Sequence, residues 1–170
     1  PANIKANADY ICDGTSDQTE INSALTAAGA NSKITLGPGT ITINASIVTT
    51  AAGQTLQGYG HAATTIFAAN SAGSNTTLVS LAHDNAKLLD LTIDGNKADN
   101  TGRTSMLCFA GAGNNFIIGN VRAKNSAGNG ASISGHGVVV LNSSVDTADF
   151  VGLVISTNAG ASQAGVRVIG

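Results

Sequence analysis

Charge is what this 170-residue chain has least of. Asp, Glu, Lys and Arg make up 11 % of it, against roughly 25 % in an average soluble domain, and the one glutamate is Glu20. A net charge of −2 and a pI of about 5.8 exclude the strong basic field that captures nucleic acid or an anionic membrane. Tryptophan is absent and aromatics are 4 %, so few rings are available to stack on sugars. Both prolines, Pro1 and Pro38, fall in the first quarter. No apolar run approaches the roughly 18 residues of a membrane helix, and the start shows no signal- or transit-peptide pattern. Cys12 and Cys108 are too few for a disulfide framework and lack zinc-ligand spacing. Both read as small buried hydrophobes, with a long-range disulfide, and hence the redox compartment, left open.

What is present is 21 Gly, 18 Thr, 17 Asn and 15 Ser beside 42 % hydrophobic residues. That composition excludes disorder and predicts one β-rich domain with a surface of hydroxyls and amides. One helix is legible. Asp17 and Glu20 have capping-box spacing, Ile21, Ala24, Leu25 and Ala28 share a face, and Gly29 is a stop signal, which predicts a helix over 17–28. Beyond residue 33 the helical period disappears. About thirteen short runs rich in β-branched residues follow, separated by Gly, Asn and Ser.

Those runs repeat. Leu88–Asp94, Ile118–Lys124 and Val140–Asp146 align with Ile93, Ala123 and Val145 in register, and Gly130–Ser134 aligns with Gly152–Ser156. Short strands recurring at an irregular interval of roughly 20–30 residues predict a solenoid, each coil burying its apolar face on the next. The prediction is an all-β, single-stranded, right-handed parallel β-helix of about five coils with an N-terminal capping α-helix. One domain is expected over 1–170, with the helix at 17–28 and coils at 33–170. Ile34, Leu36, Ile41, Ile43, Leu56, Ile66, Leu91, Ile93, Val121, Ile133, Val145 and Ile155 are its expected core. Asp90, Asn120 and Asn142 are expected to stack as a turn ladder, and the helix to cover a bare sheet edge.

Several segments carry a family resemblance. Ala8–Leu25 reads ADYICDGTSDQTEINSAL, Leu36–Ile43 reads LGPGTITI, Thr55–Gly60 reads TLQGYG and Leu91–Asn96 reads LTIDGN. Together they resemble the pectate-lyase-like right-handed parallel β-helix superfamily, whose opening segment is an A-D-Y-x-C-D-G-T-x-D stretch running into a capping helix. The resemblance covers most of the chain. It implies the fold but no single chemistry, since these proteins include polysaccharide lyases, hydrolases and epimerases as well as phage tailspikes and surface proteins. Lyases of the superfamily use an Arg or Lys base beside calcium-binding carboxylates, and its epimerases carry an Asp-Pro-His run. This chain has no Asp-Pro-His, no Trp-Ile-Asp-His and no Arg-x-Pro-x-x-Arg.

Strand alternation still brings one charged patch together. With Ile93, Ala123 and Val145 inward, Thr92 and Asp94, Arg122 and Lys124, and Ser144 and Asp146 point outward. Asp94, Lys124 and Asp146 then form one column with Arg122 beside it, which fits either an acidic-sugar grip or a solvated charge ladder. Lys124, Arg122, Asp94 and Asp146 are the catalytic candidates. Asp94, Asn96 and Asp99 carry oxygens suited to calcium, although their spacing reads more readily as a turn, and no other cofactor is expected. His61, His83 and His136 fall at unrelated sites, and Gly58–Gly60 reads as a corner rather than a phosphate loop.

The functional expectation is a non-catalytic extracellular structural or glycan-binding module of phage-tail or cell-surface type, located outside the cell or on a virion. The alternative is a lyase, epimerase or hydrolase acting on an acidic glycan. Polysaccharide is the expected partner, with no nucleic acid or membrane. The chain ends on the strand-like run Gly165–Gly170 with no cap after it, and Pro1 opens just upstream of the helix segment. This predicts a piece of a longer solenoid, or an end covered in a trimer or head-to-tail stack.

Overall fold

The computed structural model describes residues 9–70, 77–156 and 167–169; Pro1 and Ala8, and Gly165, Val166 and Gly170 of the final run, lie outside them. Helix α1 (Gln18–Ala28) precedes fourteen strands: β1 (Lys33–Thr35), β2 (Gly39–Ile43), β3 (Ile47–Val48), β4 (Thr55–Gln57), β5 (Thr64–Ala68), β6 (Thr77–Leu81), β7 (Lys87–Asp94), β8 (Leu107–Gly111), β9 (Ile117–Lys124), β10 (Ala131–Ile133), β11 (Val139–Leu141), β12 (Ser144–Asp146), β13 (Leu153–Ile155) and β14 (Arg167–Ile169). Their pairings are all parallel and join strands of successive coils. Three faces result. Face one contains β1, β4, the first half of β7, the first half of β9, β11 and β14. Face two contains β2, β5, the second halves of β7 and β9, and β12. Face three contains β3, β6, β8, β10 and β13. The chain visits the faces in turn and advances one strand spacing, about 4.8 Å, with each circuit. This is a parallel β-helix.

Inward side chains stack in columns. Ile41, Ile66, Ile93, Ala123 and Val145 follow one another on face two, and Ile47, Val79, Phe109, Ala131 and Leu153 on face three. Each fully buried aliphatic contributes about 1.5–3 kcal/mol relative to exposure. Large and small residues interlock. The Phe116 ring occupies the space a side chain at Gly111 would need, so that position accepts only glycine. Of the expected core, Leu36, Ile41, Ile43, Leu56, Ile66, Leu91, Ile93, Val121 and Ile133 are buried, while Ile34 and Val145 are half-buried against it. Ile155 is a correction: it is 46 % exposed. It does stand in the inward column after Ile133, but no described strand pairs with β13 on its other side.

Asparagine is abundant because the corners need it. The turn into face one is made by Asn31, Gly53, Asn85, Asn115 and Gly137, all with φ between 56° and 74°. Four of these donate their N–H to the next coil, Asn31 to Ala52 O, Gly53 to Asp84 O, Asn85 to Asn114 O and Asn115 to His136 O. Asp90, Asn120 and Asn142 make the bend from face one to face two with φ of 55°, 53° and 44°. Left-handed backbone costs most residues about 1–2 kcal/mol, and Gly, Asn and Asp least. β7 and β9 run through the bend as continuous strands, while the aligned segment Val140–Asp146 divides at Asn142 between β11 and β12. The expected side-chain ladder is displaced by one coil. Gln57 Nε2 donates to Asp90 Oδ2 at 2.8 Å and Asn120 Nδ2 to Asp90 Oδ1 at 2.8 Å, so Gln57 is a rung that the sequence spacing did not disclose.

Helix α1 lies against β1 and β3 and buries Ile21 and Leu25 in the core. Its polar side chains accept the N–H groups of the first coil's edge: Asp17 Oδ2 from Thr42, Gln18 Oε1 from Asn44 and Asn22 Oδ1 from Val48, at 2.9–3.1 Å. This corrects the capping box. Asp17 is the N-cap, as its spacing predicts, but makes no side-chain bond to the helix, because its second oxygen holds Gly14 N at 2.7 Å. The stop is as expected, with Gly29 at φ 70° and its N–H on Leu25 O. Gln54, fully buried, bonds the same end by donating to Leu25 O at 2.6 Å and accepting from Thr50 N at 2.8 Å.

Two measurements test this account. Asn120→Gly and Asn120→Val both lose the bond to Asp90, but valine must also adopt the left-handed backbone. Urea unfolding should find valine less stable than glycine by about 1–2 kcal/mol. Cys108 is a buried thiol whose pKa burial pushes up from 9.0 to about 12. The native thiol keeps its proton where the unfolded one loses it, so stability falls as pH rises from about 9 towards about 12, by up to about 1.4 kcal/mol per pH unit. Unfolding curves of Cys108→Ala over that range should lack this slope.

Candidate functional site

The outer surface of face two carries two columns. Thr40, Thr65, Thr92, Arg122 and Ser144 form one; Thr42, Phe67, Asp94, Lys124 and Asp146 form the other. The four catalytic candidates are therefore neighbours, in the register that their spacing predicts. Asp94 and Asp146 flank Lys124, two strand spacings or about 10 Å apart.

Their exposure differs from the expectation of an open ladder. Thr92 and Asp94 are 4 % and 8 % exposed. Residues 58–63 bend over Thr92, whose hydroxyl donates to His61 O at 2.7 Å, and Gly60 N donates to Asp90 O at 2.8 Å. Gly58 lies against Asp90 O and the Thr64 and Leu91 side chains, a close approach that leaves no room for a Cβ. Asp94 is covered by its partners. Its Oδ1 accepts from Asn96 N at 2.9 Å and Asn125 Nδ2 at 3.0 Å, and its Oδ2 meets Lys124 Nζ at 3.1 Å. Strand alternation gives direction correctly, but it is blind to loops that fold back over a face.

The charges pair off in twos. Lys124 is bound to Asp94, with the two side chains 31 % and 11 % exposed, whereas Arg122 Nε donates to Asp146 Oδ2 at 2.9 Å with both more open to solvent. Ser144 Oγ adds a longer bond to the same Asp146 oxygen at 3.3 Å. Lys97 and Asp149 form a further pair at 2.8 Å away from this column.

The calcium candidates do meet, but as a turn. Asn96 N caps Asp94, and Asn96 Nδ2 points at Asp99 Oδ2, Asn70 Oδ1 and Ala68 O at 3.1–3.3 Å. An amide N–H₂ stands among the oxygens, and an ammonium neutralises Asp94, so this donor set does not fit a hard cation that needs six to eight converging oxygens. No cluster of three His, Cys, Asp or Glu suited to a metal occurs among the described residues.

One functional neighbour escaped the sequence. His61 is expected to stand alone, yet it lines a surface hollow of about 210 Å³ together with Val121, Arg122, Asn142, Ser143 and Ser144. The bend at 58–63 brings it there from two coils away, and no spacing in the chain reports that. Phe67 is the second omission: Ile66 and Ala68 point inward and are fully buried, leaving the ring half-exposed in the column with Lys124.

No protein-family model matches the chain, and none of the curated proteins does. Two solved structures do. The A-module of mannuronan C-5 epimerase AlgE6 from Azotobacter vinelandii superposes with a TM-score of 0.68 at 22 % identity, covering 88 % of this chain and 49 % of the other. The A-module of AlgE4 from the same organism gives 0.67 at 20 % identity, covering 88 % and 52 %. The chain thus spans about half the length of the structures it matches. The likeness establishes the right-handed parallel β-helix fold, as the resemblance implied.

The two ion pairs should differ in worth. Asp94→Ala removes a nearly buried acceptor and leaves two N–H donors and a partly exposed ammonium without it, with an expected loss of about 1–3 kcal/mol. Asp146→Ala removes an exposed pair and should cost under about 1 kcal/mol. Equal losses in urea unfolding would contradict the burial difference.

Proposed function

We propose that the chain is a carbohydrate-acting β-helix module that takes an acidic polysaccharide on face two. The observation that carries this reading is the placement of Arg122 and Lys124, in a chain with so few charges, two residues apart on one strand beside the hollow lined by His61. Face three offers no such group. Its outward column is Val48, Ser80, Ala110, Ser132 and Val154. The likeness to two mannuronan C-5 epimerase modules supports a lyase, epimerase or hydrolase over a purely structural role.

The chemistry asks little machinery. Elimination and C-5 epimerisation of a uronan both begin by removing the proton next to the uronate carboxylate. A cation on that carboxylate stabilises the charge that develops, and a positioned base takes the proton. In this reading Arg122 and Lys124 serve as the cations, and the His61 imidazole on the same hollow serves as the base. Asp94 and Asp146 hold the cations in place rather than reacting.

A glycan-holding module without catalysis is the second reading, and a specific observation favours it. Each cation already has a carboxylate partner, and the Asp-Pro-His run of related epimerases is missing. Incubation with polygalacturonate and with polymannuronate separates the two. Growth of the ultraviolet absorbance of an unsaturated uronate, incorporation of deuterium at C-5 from heavy water, or new reducing ends, lost in Lys124→Ala or Arg122→Ala, is the expected result. Retention of the polymers without any turnover leaves the holding role, and neither retention nor turnover ends the proposal.

A further inference from the structure

We infer that the hollow beside Arg122 is a carboxylate subsite for one uronate residue, with Asp146 a positioning residue that presents the Arg122 guanidinium edge-on. This deepens the proposed function and rests on it for the identity of the glycan, but not for the presence of the subsite.

A guanidinium carries five N–H donors in a planar fork, one on Nε and four on the two terminal nitrogens. Asp146 engages Nε alone, at 2.9 Å, and neither terminal nitrogen has a hydrogen-bond partner among the described residues. Asp146 therefore holds the side chain from its flank and leaves the terminal pair, the edge that matches both oxygens of a carboxylate. Asp146 is itself held: Ser144 Oγ donates to the same oxygen, and β12 is zipped to β9 through Ser144↔Arg122, Val145↔Ala123 and Asp146↔Lys124.

The surroundings suit one sugar ring. The hollow, about 210 Å³, is lined by His61, Val121, Asn142, Ser143 and Ser144 beside Arg122, which supplies hydrogen-bonding groups for ring hydroxyls. Two of the lining residues are anchored. Ser143 Oγ donates to Leu141 O at 2.7 Å and accepts from Val121 N at 3.1 Å, while Thr92 pins the His61 carbonyl. The other cation is unlike Arg122. Lys124 is a point charge already paired with the nearly buried Asp94 and has no planar fork, so the fork on Arg122 decides carboxylate recognition and Lys124 supplies background field.

Titration of the ¹⁵N-labelled protein with D-glucuronate, and with D-glucose as the uncharged control, tests the subsite. Glucuronate alone should shift the amides of His61, Asn142, Ser143 and Ser144. Arg122→Lys, which keeps the charge and loses the fork, should weaken binding about tenfold. Asp146→Asn should weaken it several-fold and expose the Arg122 Nε–H to rapid solvent exchange, with Asp146→Glu partly restoring both. Equal shifts from glucose, wild-type affinity in Arg122→Lys, or tighter binding in Asp146→Asn, which would make Asp146 a competitor for the fork, would each overturn the inference. Polyuronate retention separates the two proposals. Polymer retained with glucuronate shifts elsewhere defeats the subsite and spares the glycan reading; glucuronate seated in the hollow with no polymer retained does the reverse.

Discussion

Every feature of this chain answers to the parallel strand edge. A coil of a β-helix completes none of its axial hydrogen bonds by itself; each N–H and C=O must meet the coil above or below. That requirement sets the advance per circuit at one strand spacing. It puts residues of the same type at the same point of successive coils and obliges the backbone to turn three times per circuit without breaking the ladder. The turns are made in left-handed geometry, by Asn31, Gly53, Asn85, Asn115 and Gly137 at one corner and Asp90, Asn120 and Asn142 at another. The abundance of asparagine follows from this geometry, because Asn tolerates positive φ and its amide can bond along the axis as well.

The first coil of the described stack shows how that constraint is satisfied. At the first coil, Asp17, Gln18 and Asn22 of the helix segment accept N–H groups that a preceding coil would otherwise take. Side-chain oxygens stand in for backbone carbonyls, which explains why a buried Asp17 serves the sheet rather than its own helix. At the fifth coil no described element plays that part on β13. Ile155 and the nearby Phe150 and Val151 are exposed there, although Ile155 occupies an inward column.

The candidate site is a by-product of the stacking. Residues 94, 124 and 146 lie in register because β7, β9 and β12 do, so a charge pattern spread over fifty residues of sequence becomes a patch about 10 Å long. Burial then separates the two pairs. Asn96, Asn125 and Lys124 enclose Asp94 and make that pair part of the structure, while Arg122 and Asp146 stay at the surface with both terminal nitrogens of the guanidinium uncommitted among the described residues. The bend at 58–63 supplies this patch with a histidine.

The sequence by itself determined the repeat, the strand class, the helix and its stop at Gly29, most of the core, and the register that joins Asp94, Lys124 and Asp146. All of these follow from local periodicity and from the rule that equal positions of successive coils stack. Only the tertiary structure decided what depends on contacts between coils at unequal positions. It turned the Asp17 carboxylate away from its helix, inserted Gln57 into the Asp90 ladder, folded 58–63 over Thr92 and carried His61 to Arg122, and left Ile155 exposed where the described pairing of face three stops. Those outcomes have no period to read, since each arises from a loop of variable length or from the presence or absence of a neighbour. The physical reason is the same throughout. Spacing encodes which residues face inward, whereas burial and partnership are properties of the space that other segments fill.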